Sequence, residues 1–191
     1  FPDIATQAAD QETGCEMSRA DEEITIVDTV AYENLRAGRK YTVTGILMDK
    51  ETGKEARDHY GNKIESQTEF TAPDSNGTVE VVFRFDGRGM GGSTLVAFEA
   101  LKKDGREYAV HKDIRDEAQT VYIPKIGTVI HDDDTKEHLS RADSDVTLVD
   151  EVRYENLVPG RGYVLEGMLV DQETKKAAVD AQGNKITART T

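Results

Sequence analysis

The chain has 191 residues and a formal net charge of -13; charged residues make up 32% of it, aromatic residues 6%, and tryptophan is absent. The acidic balance argues against binding to nucleic acid or to an anionic membrane surface, because both attract clusters of Lys and Arg. No apolar run approaches membrane-spanning length, and the single cysteine, Cys15, excludes an internal disulfide.

Short strands are predicted throughout the first two thirds of the chain. Apolar and polar residues alternate there with a period of two, and Gly, Asp and Asn cluster in the turns between the alternating stretches. The predicted strands are 24–32, 41–48, 64–71, 78–85, 94–101, 107–111 and 119–123. No stretch has a convincing helical period, so the pattern predicts an all-β sandwich.

The chain also repeats itself. Residues 1–69 align with 123–191 without a gap, and close to half of the aligned pairs are identical. We therefore predict two domains, a complete module over 3–124 and the first part of a second, homologous module over 125–191. The connection between them is short and contains a proline, which predicts modules lying end to end.

Two polar residues occupy positions where a core-facing side chain is expected. Glu99 shares a strand face with Leu95 and Ala97, and the opposite face of that strand is apolar as well, so the carboxyl is expected to be buried. Gln119 begins a core-facing row that Val121 continues. A buried primary amide must find hydrogen-bond partners or be chemically changed, and we interpret Gln119 as one end of a covalent cross-link.

Other polar residues complete a set of groups suited to acyl transfer. Thr29, in the strand 24–32, offers a hydroxyl nucleophile, and His111, in the last third of the module, offers a base. Gln119 is the electrophile, and Glu99 is an acid able to polarise its carbonyl. Taken singly, each has a plainer explanation: an ordinary strand threonine, an exposed loop histidine, or an acid near the rim or paired with a lysine.

Four blocks, in this order along the chain, carry a resemblance to a known family. They are Asp-Thr-Val-Ala-Tyr-Glu-Asn-Leu at 28–35, Tyr-Thr-Val-Thr-Gly-Ile-Leu-Met-Asp at 41–49, Val-Ala-Phe-Glu at 96–99, and His111 followed by Gln-Thr-Val at 119–121. Together they resemble the Thr–Gln ester-bond domains, or VaFE repeats, of cell-wall-anchored adhesins of Gram-positive bacteria. The likeness covers the first module and the part of the second that is present.

The resemblance implies immunoglobulin-like β-sandwich modules in tandem, the second truncated, and an autocatalytic Thr–Gln ester between the first and last strands of the complete module. Carried over, Thr29 is the nucleophile and Gln119 the acyl donor. His111 is the base, Glu99 the polarising acid and Asp58 the candidate second acid, because Asp58 recurs as Asp180 in the repeat. No cofactor or metal is implied, and the cross-linking is a single turnover rather than enzymatic catalysis.

The function implied is that of a structural stalk module in a surface adhesin, extracellular and anchored to the cell wall through segments outside this sequence. Its expected partners are neighbouring modules, with host ligands bound only by other parts of the parent protein. Two alternatives stay open: a module that itself binds a host ligand, and a lysine–asparagine isopeptide domain of the pilin type. A hydrolase or transferase is disfavoured, because a nucleophile consumed in an internal bond does not turn over.

The second module differs from the first at one of these positions. Glu151 aligns with Thr29, and a carboxylate cannot replace the hydroxyl. We therefore expect that the second module, as it stands, does not form the ester. Because it ends at Thr191, we also expect open strand edges that favour disorder, pairing with other chains or proteolysis.

Overall fold

The computed structural model describes all residues from 1 to 191. Two compact units are present, Phe1–Leu157 and Val158–Thr191. In chain order the strands are β1 (Asp3–Asp10), β2 (Ile24–Glu33), β3 (Lys40–Asp49), β4 (Glu65–Thr71), β5 (Gly77–Phe85), β6 (Thr94–Lys103), β7 (Arg106–His111), β8 (Thr120–Tyr122), β9 (Lys125–Asp132), β10 (Leu148–Glu155), β11 (Leu165–Met168) and β12 (Thr187–Thr190). A 3₁₀ turn, Glu117–Gln119, precedes β8, and no helix is long and apolar enough to cross a membrane.

Strands β1 to β8 form two antiparallel sheets, as the alternation in the sequence predicts. One sheet has the order β1-β2-β5, and the other has β4-β3-β6 with β7 and β8 sharing the free edge of β6. In the β6–β7 pair Glu99 lies opposite His111, while in the β6–β8 pair Val96 lies opposite Thr120. The edge partner of β6 therefore changes immediately before Glu99.

The core lies between the two sheets and is built by alternate residues of each strand. On β2 the inward row is buried along its whole length, and it comprises Ile24, Ile26, Asp28, Val30 and Tyr32. Gly45 on β3 is needed for close packing between sheets, because a Cβ there would lie 2.6 Å from Cζ of Phe83. The inward row of β2 thus carries a fully buried carboxyl, Asp28, among apolar side chains.

Strand β1 is the one element of this sandwich that the sequence did not predict. It pairs with β2 over its full length, and its inward residues Ile4, Thr6, Ala8 and Asp10 are buried. Ala, Gln and Asp have low strand propensity, so the segment gives little local signal. Asp10 anchors its end by accepting a hydrogen bond from Ser18 Oγ at 2.7 Å.

The segment that repeats the first module contains two hairpins. Strand β9 pairs with β10 within the first compact unit, in a register that places Thr128 opposite Val152 just as β1–β2 places Thr6 opposite Val30. Strands β11 and β12 pair within the second unit. Several apolar side chains of the repeat are solvent-exposed, among them Tyr154 at 63%. The domain boundary between residues 124 and 125 stays a prediction.

Candidate functional site

Gln119 lies at the end of the 3₁₀ turn and is completely buried, as the sequence predicts. Asp116 caps the turn by accepting a hydrogen bond from Ala118 N at 2.9 Å. The turn delivers the Gln119 side chain to β6, where its Nε2 lies 2.6 Å from Glu99 Oε2. The carbonyl oxygen of the same amide, Oε1, has no hydrogen-bond partner.

Glu99 and Asp28 are the two fully buried acids of the sandwich, and they come from opposite sheets. Burial raises the pKa of the Glu99 carboxyl, and the neighbouring Asp28 raises it further. Burial likewise raises the pKa of Asp28, outweighing the lowering effect of its contact with Glu99. Neither Asp28 oxygen has a hydrogen-bond partner of normal geometry, although the nearby backbone of Gln7 also lowers the pKa of Asp28. Because two adjacent buried carboxylates would repel each other, burial favours states in which this pair holds a proton.

The hydroxyl that reaches this pair belongs to Thr6 on β1. Thr6 is 9% exposed, and its Oγ1 donates to Glu99 Oε2 at 3.4 Å. The same carboxyl oxygen therefore contacts both the Thr6 hydroxyl and the Gln119 amide. Strand β1 packs against the 3₁₀ turn and β8, so the first and last strands of the sandwich meet at this point.

The structure does not bring Thr29 to this site. Thr29 follows Asp28 on β2 and faces the opposite side of the sheet, where its side chain is exposed. It lies between Gln7 on β1 and Glu80 on β5, away from the core. Since neighbouring strand residues point to opposite faces, the burial of Asp28 excludes Thr29 from the interior. The structure therefore does not support Thr29 as the nucleophile, and the hydroxyl that it brings to Glu99 beside Gln119 is that of Thr6.

Asp58, the predicted second acid, is not in the core either. Its carboxyl Oδ1 accepts hydrogen bonds from the backbone N–H groups of Tyr60 and Asn62, at 2.9 and 2.8 Å, within a surface turn. This is a common role for Asp in tight turns, and it explains why Asp180 recurs in the same turn of the repeat. The second buried acid is Asp28.

His111 lies at the end of β7, directly across from Glu99 on β6. Its Nε2 is 2.7 Å from Asp116 Oδ2, and both side chains are about one quarter exposed. The residue that caps the turn before Gln119 therefore also orients the imidazole. This pairing was not predicted from the sequence, although Asp116 stands five residues after His111 and three before Gln119.

A second set of contacts fixes the turn from the outside. Lys50 Nζ lies 2.7 Å from Glu117 Oε1, and Tyr122 donates to the other oxygen of that carboxyl at 2.7 Å. Thr120 Oγ1 donates to the Asp116 carbonyl, also at 2.7 Å. These bonds hold the turn at both ends, so the Gln119 side chain has a fixed direction into the core.

Comparison with known proteins finds a family match. A family model described as T-Q ester bond containing domain matches residues 2–123 and again 124–191. The chain belongs to this family of ester-bond domains. Comparison with curated proteins finds no match.

Solved structures show the fold of this ester-bond chain. A bacterial adhesin from Mobiluncus mulieris, containing intramolecular disulfide, isopeptide and ester bond cross-links, aligns over 98% of this chain and 92% of its own at 15% identity. The TM-score is 0.55, and a second crystal form of the same adhesin gives 0.50 with the same identity and coverage. At this identity the likeness supports the β-sandwich architecture.

The positions of Thr6 and Asp28 in the site change what is expected of the second ester-bond segment. Thr6 recurs as Thr128 and Asp28 recurs as Asp150, whereas the substitution at Glu151 falls on an exposed position outside the site. The second segment therefore keeps both groups that β1 and β2 supply. The counterparts of Glu99, His111 and Gln119 would follow Thr191.

Proposed function

We propose that the first ester-bond domain cross-links itself, by an ester between Thr6 Oγ1 and Gln119 Cδ, and serves as a structural module of a bacterial surface adhesin. The observation that carries this proposal is that the Thr6 hydroxyl and the Gln119 amide, both buried, meet at the same oxygen of Glu99. Membership of a family described by its ester bond supports it.

The reaction needs no external reactant. Thr6 Oγ1 attacks Gln119 Cδ, and His111, oriented by Asp116, accepts the hydroxyl proton. The tetrahedral intermediate collapses with cleavage of the Cδ–Nε2 bond. The amide nitrogen takes the proton from His111 and leaves as ammonia, so one C–O bond replaces one C–N bond and the atoms balance.

A proton held by the pair of acids polarises the amide. The 2.6 Å contact between Glu99 Oε2 and Gln119 Nε2 is short for an N–H···O hydrogen bond and ordinary for O–H···O. A half-turn about the Cγ–Cδ bond of Gln119 exchanges its oxygen and nitrogen. In that orientation protonated Glu99 donates to the carbonyl oxygen, which otherwise has no partner, and stabilises the negative charge that develops there.

Exclusion of water from the site protects the product. Glu99, Asp28 and Gln119 are fully buried, so the ester carbonyl would be shielded from hydrolysis. Closing a loop of roughly a hundred residues restricts the unfolded chain by about 4–5 kcal/mol. Because the bond joins β1 to the turn before β8, force applied to the two ends of the domain would pass through it rather than through strand hydrogen bonds.

An ester is favoured over an isopeptide bond by the chemistry of the partners. The groups that donate to Glu99 are a hydroxyl and a primary amide, and neither is a lysine amine. Lys50, near the turn, is paired with Glu117 on its outer side. The cross-link consumes its own nucleophile, so the domain is a self-modifying structural element rather than an enzyme with turnover.

The adhesin role extends the likeness to the Mobiluncus mulieris protein, whose fold this chain shares. We place the domain in an extracellular stalk that is anchored through other segments of a longer protein. Its partners there are neighbouring domains of the same chain, and a host ligand would be bound elsewhere.

Intact-mass measurement followed by hydroxylamine treatment tests the proposal. The purified chain is expected to be lighter than its sequence mass by one ammonia, and peptide mapping should join a fragment containing Thr6 to one containing Gln119. Hydroxylamine should separate the fragments, since esters react and amides persist. An unmodified mass in the folded chain would refute the cross-link, and a hydroxylamine-resistant link would favour an isopeptide.

A further inference from the structure

The glycine loop, residues 86–93, makes an unusual contact where the first ester-bond domain meets the repeated segment. Asn156, which follows β10, donates its side-chain amide to the carbonyl oxygen of Gly92. The N–H of Gly92 donates in turn to the carbonyl of Ile123 at 2.8 Å. The peptide groups of one glycine therefore bridge the Asn156 amide and the Ile123 carbonyl.

The backbone conformation at this bridging position favours glycine. Gly92 has φ +96°, a conformation that other residues rarely adopt, and an added Cβ would lie 2.9 Å from Glu155 Oε2. On the other side, a Cβ at Gly91 would contact Lys125 at 3.4 Å. Lys125 and Glu155 lie opposite each other in the β9–β10 register, so the loop is held between the ends of this hairpin.

The first domain has the same pair of groups, an Asn side-chain amide and a backbone carbonyl, but no glycine loop lies between them. Asn34 follows β2 as Asn156 follows β10, and both residues adopt positive φ, 61° and 55°. The side-chain amide of Asn34 donates to the carbonyl of Phe1 at 3.2 Å, and Phe1 aligns with Ile123 in the repeat. Gly92 bridges the Asn156 amide and the Ile123 carbonyl. The corresponding groups of Asn34 and Phe1 are hydrogen-bonded directly to each other.

We propose that the surface formed by Phe1, Glu33 and Asn34 is a docking site for the glycine loop of a second copy of this domain, joined head to tail ahead of it. The incoming glycine N–H donates to the Phe1 carbonyl, and its own carbonyl accepts from the Asn34 amide. One direct hydrogen bond is exchanged for two, and the contact of Gly92 with Asn156 and Ile123 supplies the geometry. Asn34 thereby stabilises the contact between successive domains, and this contact does not depend on the ester.

In the test protein, a copy of residues 1–122 is fused ahead of Phe1 of the full chain, which keeps the natural period. The added residues are the front copy and the original chain is the second copy. Amide hydrogen exchange is followed at Gly92 of each copy. Both glycine amides are expected to be protected. Asn34→Gly in the second copy removes the side chain and tolerates positive φ, so folding is retained. It should speed exchange at the front Gly92 about fivefold, the equivalent of one hydrogen bond of about 1 kcal/mol, and leave the second Gly92 unchanged.

Asn156→Gly is the matched control and should have the opposite selectivity, with faster exchange at the second Gly92 only. The proposal is overturned if the front Gly92 exchanges as fast as an exposed loop amide in the unsubstituted fusion. It is equally overturned if Asn34→Gly leaves the front Gly92 unchanged while Asn156→Gly acts at the second. Neither result bears on the ester, whose presence the intact mass reports separately.

Discussion

Replacement of Thr6 by valine separates the roles of the two threonines proposed as nucleophile. Valine keeps the branched shape of the buried side chain and removes only the hydroxyl, so Thr6→Val should fold without forming the ester. Thr29→Val, at an exposed strand position, is the matched control. The expected masses are the full sequence mass for Thr6→Val and a deficit of one ammonia for Thr29→Val.

The effect on stability can be estimated from the loop that the bond closes. Loss of a cross-link across roughly a hundred residues costs about 4–5 kcal/mol. The lost Thr6 hydrogen bond to Glu99 is long at 3.4 Å and adds at most about 1 kcal/mol. For a domain of this size the melting temperature should fall by roughly 10–20 °C, whereas Thr29→Val should remain within about 0.5 kcal/mol of the unsubstituted chain.

Circular dichroism melting and intact mass, on the same samples, measure both quantities. The reasoning fails if Thr6→Val keeps the ammonia deficit, or if Thr29→Val loses it. A Thr6→Val chain that lacks the deficit but melts with the unsubstituted protein would leave the chemistry intact and refute the stabilising role.

Three further predictions follow from the site. In the Thr6→Val background, the contribution of Glu99 to urea resistance should be greatest below about pH 4.5 and fall as pH rises toward the raised pKa of Glu99, because the folded state binds the proton more tightly than the unfolded chain; carboxyls with lowered pKa, such as Asp58 and Asp86, have the opposite trend, so the contribution is measured as the difference from the same chain carrying Glu99→Gln. His111→Ala should slow ester formation by about 10²–10⁴-fold, the usual contribution of a general base, and time-resolved mass measurement after refolding would contradict this role if the rate were unchanged. Completing the second segment with residues 70–123 of the first domain should produce a second ammonia loss that Thr128→Val abolishes, and loss of only one ammonia would show that the segment is inactive for another reason.

Most strands that the sequence predicts have apolar inward rows; β4 and β7, whose inward rows include Ser66, Thr68 and His111, are the exceptions. Strands β2 to β7 all combine alternation with β-branched or aromatic residues, and each lies close to its expected bounds. Strand β1 escapes because Ala, Thr, Gln and Asp occupy most of it, and it is held by pairing with β2 rather than by its own propensity. Because β1 was not predicted, the Thr6 hydroxyl on it was not recognised as a site group.

Alternation along the strands also explains which site residues can be recognised from the sequence. Glu99 and Gln119 stand out because each interrupts an apolar inward row, and both are buried. Asp28 gives the same signal between Ile26 and Val30, and alternation along the strand then places the adjacent Thr29 on the opposite face.

The internal repeat distinguishes Thr6 from Thr29 as the candidate nucleophile. Thr6 is kept as Thr128, while Thr29 is replaced by Glu151. The pairing of His111 with Asp116 depends on the path of a turn, which alternation along strands does not determine.

The groups proposed to take part in the reaction come from β1, β2, β6, β7 and the turn before β8, which lie far apart along the chain and belong to both layers of the sandwich. A partly folded domain has the same functional groups but cannot bring them together, so the proposed release of ammonia would occur only after the last strand has packed into place. Each molecule would then carry, in its own covalent structure, a permanent record that it had once folded correctly.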